Sequence, residues 1–153
     1  MFAAIKVRGK VHLNPEIKSA LVMLRLRNVN QLVLVNGTDS MKGMLKKTES
    51  YITYGEIDEK TLAMLLEKRA RLQGNKRLDE KALKEKKIKS IEDLAKDLVE
   101  GKAKLKDFGI KEVFRLHPPK KGYERGGIKK PYSIGGALGY RADDINKLIL
   151  RMI

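Results

Sequence analysis

Between Phe2 and Gly55 short apolar runs alternate with capped amphipathic stretches, and that rhythm restricts the possible folds more than any other feature. Phe2–Val7 is mostly apolar and suits a strand. Asn14 followed by Pro15 marks a helix start, since the asparagine side chain caps a free N–H and the proline has none to satisfy. Ile17, Ala20, Leu21 and Leu24 then recur at helical spacing and define one buried face. QLVLV at 31–35, bounded by Asn36-Gly37, reads as a well-buried strand ending in a turn. DSMKGMLKK at 39–47 predicts a second helix with Met41, Met44 and Leu45 on its apolar side. Gly43 inside it costs about 1 kcal/mol relative to alanine, which suggests a close approach there. YITY at 51–54, closed by Gly55, reads as a third strand. Two helices over one face of a three-stranded sheet is the smallest layered arrangement for a β-α-β-α-β order.

Further along, Asp58 caps a helix carrying Leu62, Leu65, Leu66 and Leu72, which Gly74-Asn75 ends. Ser90 and Asp93 have capping-box spacing at the start of a helix with an apolar stripe of Ile91, Leu94, Ala95, Leu98 and Val99. Gly101 is a natural stop. Val113–Leu116 suits a short strand. A closing helix starts near Ala142, with Asp143 and Asp144 in its first turn and Ile145, Leu148, Ile149 and Met152 on its apolar face.

The stretch 115–141 is of another kind. It holds seven Lys/Arg against one acid, Glu124, together with six of the thirteen glycines and three of the four prolines. Pro and Gly interrupt it too often for a regular element. It is held between ordered elements and displayed as a loop. Such a segment suits a polyanion: Arg and Lys heads pair with phosphate oxygens, glycines let backbone approach, and tyrosines such as Tyr123 and Tyr132 stack on unpaired bases. The whole chain has a net charge of +15, and more than half of it lies beyond residue 100. That balance favours nucleic acid or an anionic membrane as partner. No apolar run approaches the roughly 20 residues of a membrane-spanning helix, and no secretory pattern appears. The mixed-charge run from Arg77 to Asp97 reads as solvated helical surface.

Chemistry for catalysis is missing from the pattern. The chain has no cysteine, so disulfides, thiol nucleophiles and thiolate zinc sites are excluded. Gly37–Gly43 lacks the ending of a phosphate-binding loop, and Gly135, Gly136 and Gly139 lack the dinucleotide-binding context. His12 and His117 have no second histidine or carboxylates at metal spacing. No enzyme activity, cofactor or metal is expected. Tyr51 and Tyr54 alternate onto opposite faces, so the sheet lacks the paired aromatics of the common RNA-recognition module.

The segments NVNQLVLVN, KGMLKK, the glycine-rich arm and INKLILRM resemble those of large-subunit ribosomal proteins of the L-thirty family. The continuation past residue 57 is similar to the archaeal and eukaryotic form. The resemblance implies a ferredoxin-like α+β core at 1–57, with an antiparallel three-stranded sheet of order 3-1-2. It implies an extension at 58–153, comprising helices 58–73 and 90–100, the arm 115–141 and helix 142–152. It further implies a cytoplasmic structural protein, one copy per ribosome, bound to large-subunit rRNA near 5S rRNA and beside other ribosomal proteins. The family's RNA-facing positions fall here on Arg25, Arg27, Asn28, Thr38, Lys42, Lys46 and Lys47. In the arm they fall on Lys120, Lys121, Arg125, Lys129, Lys130 and Arg141. The residues alone leave a non-ribosomal RNA-binding module as the alternative.

Overall fold

The computed structural model describes residues 1–11, 13–78 and 90–153. His12 and most of the mixed-charge run after Arg77 lie outside the described residues. Strand β1 (Phe2–Lys6) is central, with β2 (Gln31–Val35) antiparallel on one side and β3 (Ile52–Glu56) antiparallel on the other. The order 3-1-2 is thus present, but inside a larger sheet. Strand β4 (Val113–Arg115) adds antiparallel to β2, and β5 (Gly139–Tyr140) adds parallel to β3, so the sheet has the order β4-β2-β1-β3-β5. The expected three-stranded antiparallel sheet is therefore corrected to a mixed five-stranded one. A two-residue strand beginning with glycine carries no local strand signal; only its approach to Thr53 makes it one.

Both faces of this sheet are covered. Ala4, Val33, Val35 and Ile52 pack under α1 (Pro15–Met23) and α2 (Asp39–Lys47) through Leu21 and Leu45. Ala3, Ile5 and Leu32 point the other way. They meet α3 (Glu59–Arg69), α4 (Ile91–Val99) and α5 (Asp144–Met152) through Leu62, Leu65, Leu66, Leu94, Leu98, Ile145, Leu148 and Ile149. Each such side chain contributes roughly 1.5–3 kcal/mol on burial, and residues from before and after position 57 join in a single cluster. The two parts of the sequence therefore share one core.

Two of the three caps expected from sequence are made: Asn14 Oδ1 accepts from Glu16 N at 3.1 Å and Ser90 Oγ from Asp93 N at 3.0 Å. Asp58 makes no side-chain cap hydrogen bond, and α3 stops at Arg69. Leu72 lies beyond it, bridged to Ile110, because residues 70–72 turn extended to reach the segment before β4.

Gly55 does not close its strand. It sits within β3, where an added Cβ would lie 2.1 Å from Ala142 O and 3.1 Å from Ile145 Cβ. The glycine lets the start of α5 rest against the sheet. Gly43, in contrast, is exposed, and an added Cβ there meets nothing within 4 Å, so no contact inside the chain requires it.

The arm crosses from the β4 edge to the β5 edge and is pinned on the way. Tyr123 Oη donates to Asn30 Oδ1 at 3.2 Å, and Ala137 and Leu138 pack with Val7. Arg141 is 3% exposed. Its guanidinium donates to both Glu124 carboxylate oxygens at 2.9 and 3.1 Å, to Thr53 Oγ1 at 2.8 Å and to Ala137 O at 3.0 Å. Arg151 adds a contact to Glu124 at 3.2 Å. Burial alone would raise the Glu124 pKa, but the hydrogen bonds and charges of Arg141 and Arg151 hold it below the usual 4.5. A depressed carboxylate pKa stabilises the fold above the unfolded value and ceases to do so as pH falls through the folded one.

Two outcomes follow. Gly55→Ala should lower stability by about 2 kcal/mol through overpacking, whereas Gly43→Ala should raise it by about 1 kcal/mol; urea unfolding of both variants measures the opposite signs. Glu124→Ala strands a buried guanidinium and should cost about 3 kcal/mol. In the wild type the same contribution should fade below pH 4.5, so the gap between the two unfolding midpoints should narrow in acid.

Candidate nucleic-acid interface

The loop after α1 shows how basic groups come to be presented. Leu24 caps the helix, Arg25 N donates to Val22 O at 2.9 Å and Leu26 N to Leu21 O at 2.9 Å, the pair of bonds that defines a Schellman motif. Helix α4 ends the same way, with Gly101 N to Leu98 O and Lys102 N to Asp97 O. The residue after the cap must adopt a left-handed conformation: Gly101 does so at φ 78°, but α1 places Arg25 there at φ 59°. An L side chain in this region costs about 1–2 kcal/mol that glycine avoids. The guanidinium is present despite that cost.

Beneath the loop lies Lys6, 1% exposed, whose Nζ donates to Leu26 O at 3.2 Å and Arg27 O at 3.1 Å. Burial, with a smaller contribution from Lys10, pushes its ammonium below the usual lysine range. Two carbonyls of the loop after α1 are thus satisfied by a cation reaching from β1, which ties down the loop that carries Arg25, Arg27 and Asn28. Arg25 is half-exposed and pairs with Glu112; Arg27 and Asn28 are exposed.

On α2, Leu45 is buried while Lys42, Lys46 and Lys47 are exposed. Lys46 and Lys47 complement the helix dipole in its last turn. Lys47 Nζ reaches Glu16 at 2.9 Å and Lys42 Nζ lies 3.8 Å from Asp39, exposed pairs worth little in water. Thr38 precedes α2 as its N-cap residue without a side-chain cap bond. Pairing of Lys6 with Ile52 puts the end of α2, the α1–β2 loop and the base of the arm at one end of the sheet. Thr38 and Lys42 are nearer the other end, where Phe2 pairs with Val35.

In the arm, Lys120, Lys121, Arg125, Lys129 and Lys130 are exposed and form no ion pair with any described residue. Arg141 stands apart from them: it is buried, and its guanidinium donates to Glu124, Thr53 and Ala137 of the same chain. Tyr123 and Tyr132 also serve the arm itself. Tyr123 is bonded to Asn30; Tyr132 donates to Asp144 Oδ2 at 2.7 Å, and the Arg141 guanidinium lies 4.4 Å from its ring centre. Tyr140, not singled out in the sequence, is the exposed tyrosine, tilted against Tyr54 at 5.5 Å and bonded to Glu56.

Other cations were not singled out in the sequence, although Arg115 is the first basic residue of the 115–141 stretch. Arg69, Arg71, Lys106, Lys111 and Arg115 come from separate segments and join Arg25 and Arg27 around a groove of about 910 Å³ at the β4 edge. No single segment displays that convergence. Among the described residues no cluster of His, Asp or Glu could hold a metal, and no helix is long and apolar enough to cross a membrane.

Residues 2–52 match the family described as Ribosomal protein L30p/L7e. Relatives extend the likeness over the full length. The chain is 52% identical over 152 residues to large ribosomal subunit protein uL30 of Methanococcus vannielii, covering 99% of each chain. It is 51% identical over 153 residues to the protein of that name from Nanoarchaeum equitans, covering 100% of this chain and 99% of the other. For Thermofilum pendens the identity is 46% over 155 residues. The chain therefore belongs to the L30p/L7e family of large-subunit ribosomal proteins, in the long form that archaea carry.

Proposed function

We propose that this protein, a structural and non-enzymatic constituent of the large ribosomal subunit by family, docks one copy on large-subunit rRNA in the region approaching 5S rRNA, beside other ribosomal proteins of the cytoplasmic ribosome. The observation that carries this reading is the set of exposed cations without internal partners at one end of the sheet. Lys46 from α2, Arg27 from the loop after α1, and Lys120, Lys121, Arg125, Lys129 and Lys130 from the arm meet no carboxylate among the described residues. Like charges brought together in this way oppose folding unless a polyanion neutralises them.

In this reading the core supplies shape, and Arg25, Arg27, Asn28, Thr38, Lys42, Lys46 and Lys47 contact phosphates and sugars at the core. The five free arm cations follow irregular RNA. Tyr123, Tyr132 and Arg141 hold the arm in position rather than touching RNA. Release of condensed counterions supplies much of the binding free energy, so affinity falls steeply with salt.

Replacing Lys120, Lys121, Arg125, Lys129 and Lys130 together with alanine should lower the slope of log K against log salt by about 3.5, at roughly 0.7 per single-stranded phosphate, with an unchanged urea midpoint. An unchanged slope removes the arm from the interface. Excision of the loop is the poorer experiment, because it takes Glu124 from Arg141. The Lys42, Lys46 and Lys47 triple alanine variant should weaken rRNA binding about tenfold or more, at roughly 1 kcal/mol or less of stability; a large fall in melting temperature would make those lysines structural instead. Hydroxyl-radical footprinting with 5S rRNA present tests the location.

A further inference from the structure

We infer that the groove at the β4 edge is a second RNA-backbone site, built mainly by the extension, separate from the five outward-facing cations of the arm and meeting the first site at Arg25 and Arg27, so that the protein joins two stretches of rRNA. This inference rests on the rRNA-binding reading above and adds a partner surface to it. Seven cations line the groove: Arg25, Arg27, Arg69, Arg71, Lys106, Lys111 and Arg115. One carboxylate, Glu112, faces them and is shared by Arg25 and by Lys106 at 3.6 Å.

The elements that assemble it are distant in sequence. Arg69 ends α3, and Lys111 N donates to Arg71 O at 2.8 Å, which ties the segment after α3 to the segment before β4. Arg115 stands opposite Gln31 on the outermost strand. Solubility or protection of an edge strand needs a charge or two on that strand; it does not need seven on the walls of one concave surface. Backbone strain points the same way. Arg25 lines the groove in a left-handed conformation at φ 59°, which glycine adopts without cost and arginine does not.

The chemistry fits a phosphodiester chain. Guanidinium groups offer paired donors to phosphate oxygens, while Gln31, Gln73 and Asn75 add neutral donors and acceptors suited to sugar hydroxyls. Five of the seven cations lie beyond residues 2–52, the part that matches the family description, so the long form owns this surface. The groove sits by β4, whereas the arm leaves β4 and crosses to the opposite edge. One RNA stretch therefore runs along the sheet end under the arm, and another passes through the groove.

The test uses the full chain and a transcribed archaeal large-subunit rRNA. Lys106, Lys111 and Arg115 are exposed, so their replacement by alanine leaves the core intact, as a urea midpoint will verify. That variant should lower the salt slope by about 2 and lose hydroxyl-radical protection over nucleotides that the five-alanine arm variant still protects. The charge-preserving form, with arginine at 106 and 111 and lysine at 115, should keep both the slope and the protections. If the arm variant weakens binding while the groove variant leaves slope and footprint unchanged, this inference falls and the rRNA reading stands. If neither variant alters the slope, the rRNA reading itself falls. Loss of the same protections in both variants would show one continuous site and overturn the proposal of two.

Discussion

Glu124 is the only acid between Arg115 and Arg141, and two guanidinium groups converge on it, from Arg141 at 2.9 Å and Arg151 at 3.2 Å. In a chain of net charge +15 the arm's own cations repel one another and work against a compact loop. A guanidinium as deeply buried as that of Arg141 is tolerable only with its donors satisfied. The carboxylate meets both requirements. It neutralises the buried charge and ties the middle of the arm to the entry of α5 and, through Arg151, to that helix's last turn. The remaining basic side chains of the arm can then face outward, because the loop does not depend on them for its shape. Display of charge and retention of structure are assigned to different residues.

A second constraint is that the sheet is buried on both faces. β1 alternates Ala3 and Ile5 toward α3, α4 and α5 with Ala4 toward α1 and α2. Small residues at 3 and 4 let two helical layers close on one strand. Lys6 ends the strand with a charge inside that packing, and the charge is used to fix the loop bearing Arg25 and Arg27. The loop that carries Arg25 and Arg27 is thus coupled to the core through one side chain: what orders the centre of the sheet also orders the cations at its end.

Much of the core was legible because its signals are local. Asn14-Pro15, the run 31–35, the helix 39–47 and the Ser90 cap each announce themselves within a few residues, and the structure places them there. What was hidden depended on distance along the chain. Gly55 looks like a strand end, yet it answers to Ala142; Gly139 and Tyr140 become a strand only beside Thr53. Arg141 looks like its basic neighbours, and its partners are 17 and 88 residues away. The groove is the extreme case, since charge counted along the chain cannot reveal which cations will face one another. Gly43 misled in the other direction: the cost of a helical glycine was real, but no neighbour in the chain accounts for it.

The close approach at Gly55 bears on how the molecule comes into being. Ala3, Ile5 and Leu32 leave the exit tunnel well before Ile145, Leu148 and Ile149, which cover them and follow much later in the chain. Until then a nascent chain carries an uncovered apolar face and an unpaired β3 edge, the kind of surface that invites aggregation. Pairings of such sequence separation also form slowly. The half of the sheet that faces α3, α4 and α5 is therefore the last part of the core to be sheltered from solvent as the chain is made.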